Sequence, residues 1–300
     1  MVDFEDRVAI VTGAGGGLGK EHALLLAARG AAVVVNDVGG SVSGEGSSQS
    51  AADAVVGEIK AAGGEAVAEH SSVADPAGGA AIVQRALDVY GRIDIVINNA
   101  GILRDKSFTN LEPDHLHPVL DVHLRGAFYV SRPAFAFMKE NGYGRILFTT
   151  SGSGLMGNFG QSNYGAAKMG LIGLMNVLKV EGAKYGINVN AVAPIAHTRM
   201  TEGLFGGIVD MFAASQVAPA VAYLVSDECE LNGEIWSVGG GSVSRFFIGL
   251  TEGYFKHPND GELTIEDIAA HVRDVRSEID YMVPFSSQDE FTKLAPRLST

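Results

Sequence analysis

Cysteine is nearly absent: Cys229 stands alone in 300 residues, so no disulfide can form within the chain and no Cys/His cluster offers a zinc site. Positive charge is scarce too. Lysine and arginine number 22 against 35 aspartates and glutamates, a net charge of −13, where a nucleic-acid binder carries a basic excess. No apolar run approaches the roughly 18 residues of a membrane span. The opening MVDFEDRVAIVTG has neither the basic nor the apolar region of a secretory signal. These absences predict a cytoplasmic protein with no nucleic-acid or membrane partner and no metal. Apolar residues at 46 % and charged residues at 19 % exclude a disordered chain. Glycine is what the chain has in plenty. Its 39 residues are about twice average usage, with no collagen-like period, and so point to tight backbone turns.

Short β-branched runs alternate with stretches at helical spacing. Strands are expected at 7–12, 32–36, 66–70, 93–98, 145–150, 187–192 and a last one at 234–238. Helices are expected at 18–30, 51–62, 76–91, 112–141, 164–185 and 218–224. Apolar strands between helices imply a parallel sheet covered on both faces, the doubly wound α/β arrangement. Two segments break the rhythm. The Gly/Ser-rich stretch 38–50 (VGGSVSGEGSSQS) is expected to be a mobile loop. Residues 246–300 are more charged, with helical spacing near 265–279, and read either as a packed or partner-covering appendage or as part of the site. The expected division is one domain over 1–245 with a C-terminal extension over 246–300.

Thr12–Gly19 reads TGAGGGLG, directly after a strand and opening a helix. Glycines 13, 17 and 19 allow a tight turn, close approach of backbone to a pyrophosphate, and close helix–strand packing. The helix start supplies N–H groups and partial positive charge to phosphate. Strand, loop, helix and second strand stand where a dinucleotide-binding βαβ unit needs them. Asp37, closing the second strand, can accept hydrogen bonds from an adenosine ribose and repels a 2′-phosphate. No basic residue occupies positions 14–16, so NAD is favoured over NADP.

Tyr164 and Lys168 stand four apart and share one face of their helix. Ser151 follows the fifth strand, where doubly wound folds place ligands. A free tyrosine titrates near 10, and a neighbouring ammonium favours the phenolate and lowers that value. Lys168 could do this and bond a ribose, while Ser151 donates to a substrate oxygen. The three together make a proton-transfer site beside a hydride carrier.

TGAGGGLG, NNAG at 98–101, Ser151 and YGAAK at 164–168 stand in the order and spacing of the short-chain dehydrogenase/reductase family, which the chain resembles over roughly residues 5–245. The resemblance implies a Rossmann fold, with Tyr164 as general acid/base, Lys168 as its partner and Ser151 as substrate-oxygen donor. It also implies that Gly13, Gly17, Leu18 and Gly19 hold the cofactor, with Ser72 and Val73 flanking the adenine. Asn99, Ala100 and Gly101 would line the cofactor, and Ile195 to Thr198 would close over the nicotinamide. The segments NNAGILRDKSF, VHLRGAF and GNFGQSNYGAAK further resemble the (3R)-hydroxyacyl-CoA dehydrogenase region of peroxisomal multifunctional β-oxidation enzymes, also described as steroid 17β-dehydrogenases. The hydratase and sterol-carrier regions of those enzymes have no counterpart here, and the chain's end does not read as a peroxisomal address.

Two positions depart from the general family pattern. His123 stands where most members carry asparagine, and either relays protons or packs as a core histidine. Pro194-Ile195 replaces the common proline-glycine. Met200, Leu204, Phe205, Ile208, Met211 and Phe212, with Leu155, Met156 and Phe159, form an apolar substrate wall or ordinary core. Arg104, Lys106 and Arg199 are candidates for coenzyme A phosphates. The expected reaction is NAD-dependent oxidation of a small-molecule secondary alcohol, a (3R)-hydroxyacyl-CoA first. The alternatives are 17β-hydroxysteroid oxidation and 3-oxoacyl reduction. Family members usually associate through the helices around 112–141 and after Tyr164, so a homodimer or homotetramer is expected.

Overall fold

The computed structural model describes residues 2–203 and 206–298. Strands β1 (Val8–Thr12), β2 (Ala32–Asn36), β3 (Glu65–Glu69), β4 (Ile95–Asn98), β5 (Gly144–Thr149), β6 (Ile187–Pro194), β7 (Ile235–Gly239) and β8 (Ser242–Phe246) form one sheet. Its order is β3-β2-β1-β4-β5-β6-β7-β8, and every pairing from β3 to β7 is parallel. The helices are α1 (Gly17–Ala28), α2 (Ser50–Ala61), α3 (Pro76–Tyr90), α4 (Pro113–Leu120), α5 (Gly126–Asn141), α6 (Gly152–Leu155), α7 (Ser162–Gly182), α8 (Ala218–Leu224), α9 (Ile265–Val275) and α10 (Ser287–Leu294). Every residue of β1, β4 and β5 is buried, as expected of strands covered on both faces. This is the doubly wound Rossmann-like arrangement that the alternation of runs implies.

Three local features differ from the expectations. The single helix over 112–141 is two helices joined by a π-helical turn, Asp121–Arg125, which carries His123. Such turns insert one extra residue and re-aim side chains, often at functional sites. The strand at 234–238 is not the last, because Gly240 and Gly241 both have positive φ, the geometry of a two-residue hairpin turn, and β8 follows. The segment 38–50 is held by its own hydrogen bonds: Ser48 N donates to the Val38 carbonyl (2.9 Å) and Ser41 N to that of Glu45 (2.9 Å).

By packing, the chain divides into two compact units, Met1–Arg245 and Phe246–Thr300. In the second, α9 and α10 each open on a capping box, Thr264 with Asp267 and Ser286 with Asp289. Lys256 pairs with Asp267 at 2.7 Å. No described residue of that unit is buried.

Candidate active site

Sheet order reverses between β1 and β4, and in such folds ligands bind beyond the strand ends at that point. A cleft opens there, lined by Gly13, Gly17 and Leu18 from the glycine turn and by Asp37 at the end of β2. Ser72 and Val73 after β3, and Asn99, Ala100 and Gly101 after β4, complete its walls, and Thr198 closes one side. Gly19 and Ile195 do not line it. Gly19 serves packing: a Cβ there would lie 2.3 Å from the Gly13 carbonyl oxygen. Asn99 braces the turn, its Nδ2 donating to the carbonyls of Thr12 (3.0 Å) and Gly13 (3.1 Å). Gly16, the residue before α1, offers no side-chain cap and the first turn holds no acidic residue. The N–H groups there suit a phosphate.

The Asp37 carboxylate is fixed by two backbone donors, Gly15 N (2.8 Å) and Gly39 N (2.6 Å). A Cβ on Gly15 would come within 2.8 Å of that carboxylate. Any side chain at position 15 would therefore press on that carboxylate and on Ala51. The cradle fits a dinucleotide: bare amides at the helix start for the pyrophosphate, and a carboxylate at the far end for a ribose.

On the other side of the switch point, β5 ends at Thr149 and α7 carries Tyr164 and Lys168 past it. Ser151 begins α6 and accepts from Ser153 N at 3.2 Å. The Tyr164 hydroxyl is hydrogen-bonded to Ser151, which draws its pKa down, but burial outweighs that and raises it above the ordinary tyrosine value. Lys168 is buried, donates to the Thr149 carbonyl at 2.6 Å, and stands 5.4 Å from the centre of the Tyr164 ring. The expected depression of the tyrosine by the lysine is thus not what this state shows. Burial of Lys168 lowers its own pKa to about 7, so it is only partly charged at neutral pH and cannot act as a full ammonium neighbour.

His123 packs edge-on to Tyr164, ring centres 5.1 Å apart. It is buried, and that burial, with Lys168 nearby, holds its pKa well below the ordinary histidine value. Its Nε2 lies 3.0 Å from the Ile102 N–H and 2.8 Å from the Ile102 carbonyl. Nδ1 has no partner among the described residues. A cavity of about 10 Å³ is lined by His123, Lys168, Asn98 and Ala100 among others, close to the room one water needs.

Of the candidate phosphate ligands, Arg104 is occupied elsewhere: Nε donates to the Ser43 carbonyl (2.8 Å) and Nη1 to that of Asp114 (2.8 Å). Lys106 is exposed in the chain segment that pairs with residues 160–161. Met156, Phe159, Ile208 and Met211 are exposed, and so are not ordinary core. Phe212 is half-buried, while Leu204 and Phe205 lie outside the described residues. Sequence reasoning missed Val38, Gly40, Ser41, Val42 and Gly44, which form one wall of the dinucleotide cleft. Their signal was present in the long Gly/Ser run directly after Asp37.

The family model described as short chain dehydrogenase matches residues 7–206. A Mycobacterium tuberculosis protein of the short-chain type dehydrogenase/reductase is 48 % identical over 273 residues, covering 90 % of this chain and 94 % of its own length. The peroxisomal multifunctional enzyme type 2 of Drosophila melanogaster is 48 % identical over 92 % of this chain, which spans only 45 % of that protein. Its full-length structure superposes with a TM-score of 0.84 at 38 % identity, covering 99 % of this chain and 50 % of that one. A protein of M. tuberculosis named hydroxyacyl-CoA dehydrogenase is 36 % identical over 81 % of this chain and 80 % of its own length.

Proposed function

The chain belongs to the short-chain dehydrogenase/reductase family, and on that premise we propose that it oxidises a (3R)-hydroxyacyl-CoA to the 3-oxoacyl-CoA with NAD. The observation that carries this reading is the meeting of Ser151, Tyr164 and Lys168 at the ends of the strands, beside a cleft that fits a dinucleotide. The glycine turn and Asp37 would hold NAD+, which would supply the acceptor for a hydride from the carbinol carbon. Tyr164, a protonated phenol in this state, hands its own proton on as it takes that of the substrate hydroxyl, and Ser151 holds the substrate oxygen by a hydrogen bond. The choice of NAD rests on Asp37, whose fixed carboxylate would meet a 2′-phosphate as like charge.

The proton must then leave Tyr164. Lys168, with a pKa of about 7, can take it up and release it near neutrality. His123 is the next group along. Both of its tautomers find a partner in Ile102, carbonyl for one and N–H for the other. Held in that way at Nε2, His123 lines with Lys168 a cavity the size of one water, which gives room for a water to carry the proton on from the lysine. Exposed Phe108, Met156 and Phe159 suit an acyl chain better than a sugar, and Lys106 and Arg199 are the cations left for phosphate. Exposed Phe128 on α5 and Met169, Val177 and Val180 on α7 support association through those helices into a homodimer or homotetramer.

The test is a rate comparison among (3R)-hydroxyacyl-CoAs, their (3S) epimers and 17β-hydroxysteroids, each with NAD+ and NADP+. Rapid (3R)-selective turnover with NAD+ is expected. Turnover of steroids alone would replace the substrate, and preference for NADP+ would overturn the role given to Asp37.

A further inference from the structure

The three residues after the NNAG motif each hold a different part of the molecule. Ile102 partners His123 through both its N–H and its carbonyl. Leu103 N donates to the Val42 carbonyl at 2.9 Å. Arg104 grips Ser43 and Asp114 with its guanidinium, and its own carbonyl accepts from Asn163 Nδ2 at 2.9 Å. Asn163 is fully buried and adjoins Tyr164, whose N–H it accepts at 2.8 Å. One short segment thus touches the loop over the dinucleotide cleft on one side and the start of α7 on the other.

The Arg104 contacts have a clear physical origin. Pro118 has no N–H, so the Asp114 carbonyl, four residues earlier in α4, lacks its helical partner. Arg104 Nη1 supplies one. The planar guanidinium can serve that carbonyl and the Ser43 carbonyl together, because its donors are set in a fixed fork. A lysine ammonium is a point donor and cannot hold both in that geometry. The Ser43 contact is reinforced by Gly44, whose φ is +83° and where a Cβ would lie 3.0 Å from Ile102 Cδ1.

We propose that Arg104 is a positioning residue: it latches the 38–48 loop, as a strap, over the dinucleotide, and so sets how tightly the cofactor is retained. This rests on the reading of the cleft as a dinucleotide site. Val38, Gly40, Ser41, Val42 and Gly44 line that cleft, and Leu103 and Arg104 pin the strap at its tip, at Val42 and Ser43. Release of the pin leaves a Gly/Ser-rich segment with little apolar surface of its own to hold it down. The strap then samples open states and the dinucleotide departs faster.

The experiment measures NADH affinity by fluorescence titration and limited proteolysis within residues 38–50, with and without NADH. The proteins are the wild type, Arg104→Ala, Arg104→Lys and Gly44→Ala. In the wild type NADH protects the strap. In Arg104→Ala affinity falls about tenfold, the scale of losing hydrogen bonds from a charged donor, and protection is lost. Arg104→Lys recovers little, and Gly44→Ala reproduces the defect from the strap side. The double variant is no worse than either single one, because both break one latch. In steady state the loss falls on KM for NAD+ more than on kcat. Unchanged NADH affinity and strap protection in folded Arg104→Ala would overturn the latch, as would a loss confined to kcat. A wild type that binds neither NADH nor NADPH would overturn the dinucleotide reading itself, and the latch with it. The two failures are thereby separate.

Discussion

At the scale of single residues, the site combines groups that burial drives away from their charged forms. Lys168 is the clearest case. Its folded pKa of about 7 lies below the roughly 10.4 of a free lysine, so between those values the unfolded chain binds the extra proton. The buried amine therefore costs stability in full below about pH 7, and that cost is relieved progressively as pH rises towards 10. Lys168→Met should remove turnover yet raise thermal stability at pH 6 to 7 by roughly 1–3 kcal/mol, as strained functional positions often do when relaxed. A melting curve lower than the wild type's at that pH would contradict the burial argument. His123→Gln keeps a side-chain partner for Ile102 but cannot change protonation. It should leave NADH affinity intact and cut kcat about tenfold, less than the roughly 10²–10⁴-fold of a group that transfers the proton itself. An unchanged kcat and pH profile would mark His123 as packing only. Tyr164, Lys168, Ser151 and Asp37 were all legible in the sequence, because residue type and spacing carry their chemistry. The raised Tyr164 pKa was not, since it depends on how deeply the ring and its neighbour are buried.

At the scale of elements, the π-helical turn between α4 and α5 brings His123 against Gly101. A Cβ on Gly101 would stand 2.4 Å from His123 Cε1. Gly101→Ala should then lower stability by about 1–3 kcal/mol, the cost of overpacking, and lower activity through displacement of the histidine. His123→Ala in the same chain should restore the stability but not the activity. Failure of that rescue would locate the strain elsewhere. Periodicity read 112–141 as one helix because Pro118 and an extra residue in the turn hardly disturb apolar spacing. The strands fared better: β2 and α8 stand at the expected residues, since continuous β-branched or alanine-rich runs leave few alternatives. The strap was visible as a Gly/Ser run, but its folded shape depends on Leu103 and Arg104, some sixty residues away, which no local pattern reports.

At the scale of the whole molecule, a parallel sheet gathers the dinucleotide cleft and the tyrosine helix at one end of its strands, and the helix that opens the cleft carries a buried histidine. His22 in α1 is fully buried, neither ring nitrogen has a partner among the described residues, and burial lowers its pKa to about 3. Free histidine titrates near 6.5, so below that value the unfolded chain takes up a proton that the folded chain refuses. Stability from this group is intact above pH ~6.5 and is lost progressively down to about pH 3. His22→Leu should flatten the fall in melting temperature between pH 6.5 and 4, and an unaltered slope would show that other groups govern acid unfolding. No helix among the described residues is long and apolar enough to cross a membrane, and no group of metal-ligating side chains is found among them.

The most direct test of the central claim is NADH production from a (3R)-hydroxyacyl-CoA by the wild type and by Tyr164→Phe, with NADH affinity measured on both. Turnover by the wild type is expected, with near-equal affinity and a loss of at least about a hundredfold in kcat for the variant, within the span of general acid–base catalysis. A Tyr164→Phe protein that binds NADH and keeps most of its kcat would contradict it.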